Sequence, residues 1–180
     1  MDGNQAYEPP VANPTGDEWQ TALEENEGAR RALQRIIIRA AKALGQEFRA
    51  QRDGCYRDAY AACSGQPEQQ AKLWSPLKIR VRTREGSMTL GWQLVYSHGP
   101  RDRRHSKYEH IPTRNGGSDY DPFRLYQLAR EHERDLVVAT ERRAAAIRKA
   151  WSAVVAMRGA HRTLVTSRTA LTTTWSTEPS

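Results

Sequence analysis

Glu109, His110, Asp119 and Asp121 lie within thirteen residues, together with His98 and His105 just upstream. Carboxylates and imidazoles at such density are what a divalent-metal nuclease or hydrolase would use to hold its ion and activate water. The spacing argues against it. His105 and His110 are five apart on a predicted strand, so they face opposite sides and cannot chelate one metal together. Asp119 and Asp121 sit in a turn rich in Gly, Asn and Ser, where short acids more often cap a helix or close a turn. The sequence has no Cys-x-x-Cys, no glycine-rich phosphate loop and no Gly-x-Ser-x-Gly elbow. A DNA-nicking relaxase would need a His pair on one strand face beside a nucleophilic Tyr, and the Tyr residues here have no such pair. The expectation is a non-enzymatic protein with no cofactor, no catalytic residue and no metal site.

Residues of a different type make a stronger pattern. Leu77-Lys78-Ile79-Arg80-Val81-Arg82-Thr83-Arg84 alternates an apolar residue or Thr with a cation at every step. Successive side chains of a strand point to opposite faces, so Lys78, Arg80, Arg82 and Arg84 line one side and the apolar set the other. A basic run at Arg101, Arg103, Arg104 and Lys107 follows, and Arg114 closes the segment. Lys and Arg in rows neutralise phosphates, and release of the counterions makes such binding salt dependent. Tyr96 and Tyr108 lie among these cations and could contact sugars or bases. The candidate DNA-binding set is therefore Lys78, Arg80, Arg82, Arg84, Tyr96, Arg101, Arg103, Arg104, Lys107, Tyr108 and Arg114. Arg30, Arg31, Arg35, Arg39 and Lys42, all on the first predicted helix, form an alternative basic face.

The charge is distributed to match. The net charge of the 180 residues is +7, yet residues 1–27 hold seven acids and no Lys or Arg. Residues 77–114 alone carry nine cations against three acids. A basic body with an acidic arm is the distribution of proteins that meet nucleic acid or anionic surfaces.

Positioning this row requires a scaffold. Residues 1–16 read as a disordered acidic arm, 17–162 as one α+β domain and 163–180 as a flexible tail. Thr15 or Asp17 is placed to cap a long helix, whose Leu33, Ile37, Ala40, Ala41, Leu44 and Phe48 recur at three- and four-residue steps, with Gly54 as a break or bend. Ser64-Gly65-Gln66-Pro67 marks a turn. After Pro76 the period becomes two, giving strands near 77–84, 88–97 and 105–111, the first pair joined at Glu85-Gly86-Ser87. Met88, Leu90, Trp92, Leu94 and Tyr96 share a face, and a three-stranded antiparallel meander needs a helix to cover it. Asp121 and Pro122 open the last helix, in which Val137, Thr140, Ala144, Ile147, Trp151 and Val154 repeat at alternating steps of three and four. Packed as an α-hairpin with the first helix, it supplies the cover; a homodimer through the same seam is the alternative. Only 38% of residues are hydrophobic and no apolar run reaches ten, so no membrane span is expected and the location follows as cytoplasmic. Cys55 and Cys63, eight apart, are expected as two reduced thiols.

The stretch from Trp92 through Arg158 resembles the MobI-type conjugative transfer proteins. The resemblance rests on a strand ending near Trp92, His105-Ser106-Lys107-Tyr108-Glu109-His110-Ile111, a Gly-containing loop with Tyr120, and a helix bearing His132-Glu133, Leu136-Val137, Glu141 and Ile147-Arg148. It implies a role in DNA mobilisation, with transfer-origin DNA and a relaxase or coupling protein as partners. It brings no catalytic residue. An adaptor of the relaxosome, using the helical seam and with DNA contact secondary, is the second reading.

Overall fold

The structure is a computed structural model that describes residues 15–98, 105–114 and 117–175. Its elements run α1 (Gly16–Ala62), α2 (Pro67–Lys72), β1 (Leu77–Arg84), β2 (Ser87–His98), β3 (His105–His110), α3 (Pro122–Leu128), a single 3-10 turn at Glu131–Glu133, and α4 (Arg134–Trp175). The class is α+β, with an antiparallel sheet in the order β1-β2-β3 between long N- and C-terminal helices. Backbone contacts divide the chain into two compact units, one of residues up to Arg31 with those from Met157 onward, the other Ala32–Ala156. The acidic arm before Thr15 lies outside the described residues.

In the larger unit the periodic residues bury as their spacing requires. Ala41, Leu44 and Phe48 of α1 are buried with Leu77, Leu90, Trp92 and Leu94 of the sheet and with Val137 and Ala144 of α4. Phe48 meets Trp92 edge to face, with centroids 5.1 Å apart. Glu47 and Arg143 pair bidentately at 2.7 Å across the two helices, which run antiparallel. Val137, Thr140, Ala144 and Val154 are buried within the chain, so the predicted seam is spent on this core. Leu33 and Ala40, expected in the buried stripe of α1, are instead exposed.

Three features of the helices differ from expectation. Gly54 neither breaks nor bends the chain out of helix: α1 continues through it, and the cost of a mid-helix glycine, about 1 kcal/mol, is too small to end a long packed helix. The C-terminal helix is not continuous from Asp121. Asp121 caps only α3, accepting from Phe123 N–H at 2.9 Å, and the chain then turns extended at Ala129 and Arg130. There Arg130 donates to the Trp74 carbonyl at 3.1 Å and buried Glu133 accepts from the Ser75 hydroxyl, so the break docks onto the approach to β1. Tyr126 lies on α3 and is exposed. At the far end α4 remains helical to Trp175, past residue 162, where the hydroxyls of Thr163, Thr166 and Thr169 bond back to carbonyls four residues earlier.

Turns follow their chemistry. Glu85 and Gly86 both have positive φ, 45° and 77°, and Arg84 faces Ser87, which makes a two-residue primed hairpin turn. Gln34 of α1 donates to the Gly86 carbonyl at 2.7 Å, tying the turn to the helix. Thr15 caps α1 reciprocally with Glu18: the Glu18 N–H reaches the Thr15 hydroxyl at 3.3 Å and the Thr15 N–H reaches the Glu18 carboxylate at 2.6 Å. Cys55 and Cys63 are free thiols. No helix among the described residues is long and apolar enough to cross a membrane.

In the smaller unit Glu27 accepts from Arg30 through two bonds, at 2.8 and 2.7 Å, and from Arg31 at 2.7 Å. The bonds from Arg30, then those from Arg31, hold its carboxyl well below the ordinary value of 4.5, at about 2. A depressed folded-state pKa stabilises the fold above the unfolded value and loses that contribution as pH falls toward the folded one. Carboxyl NMR should accordingly place the Glu27 midpoint near 2, and Glu27→Gln should remove part of the acid-dependent stability between pH 4.5 and 2. In the core, Leu44→Ala should cost about 2–5 kcal/mol, read as a fall in melting temperature of about 5–15 °C.

Candidate nucleic-acid interface

The β-ladder decides which cations share a face. Lys78 pairs with Gln93, Arg80 with Gly91, Arg82 with Thr89 and Arg84 with Ser87, while Ile79 pairs with Trp92 and Val81 with Leu90. Because Ile79 and Trp92 are committed to the core, Lys78, Arg80, Arg82 and Arg84 occupy the outer face. Arg80, Arg82 and Arg84 are exposed and Lys78 is half-buried. A rise of about 3.3 Å per residue sets Arg80 and Arg84 about 13 Å apart, near four base-pair steps of duplex.

Not all the predicted residues join this row. Tyr108 pairs with Val95 and so shares the outer face, where it is exposed. Tyr96 and Lys107 pair with each other on the same side of the sheet as Trp92. They are exposed there, on the opposite face from the arginine row. Arg114 is exposed in the loop after β3, its N–H bonded to the Asp119 carbonyl at 2.8 Å. Arg101, Arg103 and Arg104 lie outside the described residues. Of the acids considered for metal chemistry, Asp121 is the α3 cap and Asp119 is held low first by the Ser118 hydroxyl and then by Lys149, 3.5 Å away.

Helix α1 adds cations that the strand pattern did not reveal. A cleft of about 410 Å³ runs between α1 and β1, bringing Lys42, Arg49 and Arg52 beside Lys78 and Arg80, with no Asp or Glu in its lining. Lys42 and Arg49 were legible among the cations of a basic helix; Arg52, three residues past Arg49 and on the same side, was not, and that spacing was the available signal. Arg52 donates to the Leu77 carbonyl at 3.0 Å and stacks on Phe48, 5.8 Å from the centroid.

A buried polar network holds the outer face in place from behind. Glu141 of α4, 3% exposed, accepts from the Trp92 indole at 2.8 Å and from the Tyr120 N–H at 3.0 Å, and pairs with Arg148 at 2.5 Å. Arg148 also donates to the Ser118 carbonyl and stacks on Tyr120, 4.9 Å from the ring centre. The Tyr120 hydroxyl accepts from the Trp92 N–H at 3.3 Å, and burial pushes that phenol up from its ordinary value. Gly91 makes this approach possible: a Cβ there would lie 2.6 Å from the Tyr120 hydroxyl and 3.2 Å from the His110 ring.

Glu141, Arg148, Tyr120 and Trp92 lie within a stretch that a known family shares. The sequence model described as MobI protein matches residues 37–162. The chain belongs to the MobI family. Membership carries a role in conjugative mobilisation. No curated protein and no solved structure matches the chain. The match takes in β1, β2, β3 and the basic side of α1 from Ile37 onward, so the whole candidate interface falls inside it.

Removing one member of a buried ion pair leaves the other uncompensated, at about 3–5 kcal/mol. Glu141→Gln should show a loss of that order in urea unfolding. Combining it with Arg148→Met should recover part of it, and strictly additive losses would mean the two side chains are not coupled.

Proposed function

We propose that this MobI-family protein is a non-enzymatic DNA-binding accessory of conjugative transfer, assisting a relaxase at the transfer origin in the cytoplasm. The observation that carries the reading is the row Arg80, Arg82 and Arg84, exposed on the outer face of a sheet whose other face is committed to the core. Family membership supplies the mobilisation context. Arginines in this array can bond phosphate oxygens, and their position on a strand also lets them reach base edges in a groove. Tyr108, exposed on the same face, adds a flat ring for sugar or base contact. The cations of α1 extend the positive surface around the β1 edge.

The adaptor reading uses the α4 seam. With Val137, Thr140, Ala144 and Val154 buried and Ile147 and Trp151 half-buried, that seam offers little free surface to a partner.

Electrophoretic shifts of transfer-origin DNA over a salt series test the proposal. The expected slope of log K against log salt is about −3 to −4, the value for roughly four phosphate contacts. Replacing Arg80, Arg82 and Arg84 together by Ala should shallow the slope and weaken binding by at least tenfold. Unchanged binding by that variant would move the interface elsewhere, and no binding at low salt would end the DNA reading. Incubation of plasmid with the protein and Mg²⁺ or Mn²⁺ should leave it uncut.

A further inference from the structure

Strand β1 is an edge of the sheet, since β2 lies on one side of it and no strand lies on the other among the described residues. The phase of its hydrogen bonding is set by Val95, whose N–H donates to the Pro76 carbonyl at 2.8 Å. Stepping by two along the ladder, Lys78, Arg80, Arg82 and Arg84 exchange bonds with β2, and the residues between them turn their N–H and C=O groups away from it. At Leu77 both outward groups are occupied: its N–H reaches the Ser75 hydroxyl at 3.2 Å and its carbonyl accepts from Arg52 at 3.0 Å. The outward groups of Ile79, Val81 and Thr83 continue the row, alternating donor and acceptor over about 13 Å.

This edge borders the cleft that gathers Lys42, Arg49 and Arg52 from α1 and Lys78 and Arg80 from β1. Cations along an edge prevent a second copy of the same strand from pairing, because like charges would be brought together. The same cations favour an added strand of opposite charge. Phosphates offer acceptors alone and leave the outward carbonyls of Ile79 and Val81 unused. A peptide backbone supplies donors and acceptors in the order the edge presents them. Alternate side chains of such a strand would point to the two sides of the sheet, one set toward Lys42 and Arg49 and the other toward Lys78 and Arg80.

We infer that the β1 edge binds an extended acidic peptide segment of a protein partner as a fourth strand. Its backbone pairs with Ile79, Val81 and Thr83, and its carboxylates, carried on alternate residues, meet the cleft cations on the one side of the sheet that they face. This goes beyond DNA contact by the outer face and gives the protein a second, protein-directed surface that shares only its Lys78 and Arg80 side.

The test is fluorescence anisotropy on the full chain with a labelled peptide of alternating Glu and Val, seven residues long. It is run beside the same peptide N-methylated at alternate residues, an alternating Lys and Val peptide, and a labelled oligonucleotide. The acidic peptide is expected to bind, N-methylation to weaken it at least tenfold, and the basic peptide not to bind. Thr83→Pro removes one outward donor at an exposed position without touching the β2 ladder. With an unchanged melting temperature it should weaken the peptide at least fivefold and the oligonucleotide less than twofold. Equal binding of the N-methylated peptide, no binding of the parent peptide, or equal loss of both ligands in Thr83→Pro would overturn the inference. Loss of oligonucleotide binding in the triple-arginine variant alone bears on the DNA reading and leaves the peptide result standing.

Discussion

The carboxylate of Glu141 is the constraint on which the larger unit depends. Groups from three elements converge on it: the indole of Trp92 from β2, the backbone of Tyr120 from the loop before α3, and the guanidinium of Arg148 about two turns further along α4. A charge this deeply buried is tolerable only with its counter-ion and hydrogen bonds complete. Satisfying it therefore fixes the rotation of α4 against the sheet, the path of the 117–121 loop and the orientation of the largest core side chain at once. Apolar packing alone would permit several rotations of a helix over a sheet; the carboxylate accepts one.

That constraint explains how a small, weakly apolar core supports a flat cationic surface. The inner face of the sheet is held by directed bonds as well as by area, so the exposed cations of the outer face need contribute nothing to stability. Lys78, Arg80, Arg82 and Arg84 can then be as polar as contact with a polyanion demands. The tie from Gln34 to Gly86 and the Arg52 bond to Leu77 fasten both ends of β1 to α1. The strand that carries the arginines is thereby anchored at its two ends and left open along its edge.

Much of this architecture was legible from period alone. The alternation at Leu77–Arg84 gave the strand bounds as observed, because a half-buried strand leaves no freedom in which residues face inward. The hairpin turn, the Thr15 cap and the Asp121 cap followed from residue chemistry. The break at Ala129 and Arg130 was not legible, since its causes are long-range bonds to Trp74 and Ser75 that no local pattern announces. Gly54 misled because propensity is weak against the packing of a long helix. The site was half visible: the strand cations could be read directly, whereas their company with Arg49 and Arg52 required knowing which side of α1 passes β1. Tyr96 and Lys107 were grouped with the arginines by proximity in sequence, and the ladder separates them by the thickness of the sheet.

Gly91 bears on how this protein can vary over descent. Gly28 and Gly54 have open space where a Cβ would stand, so replacement by alanine at either meets no obstacle. At Gly91 a single added carbon would contact the Tyr120 hydroxyl and the His110 ring, in the strand between Arg80 and the core. Lineages can therefore replace these two helical glycines at no steric cost. The centre of β2 admits only hydrogen at this position unless Tyr120 changes in the same step, and such paired substitutions are the expected record of any relative in which it has been lost.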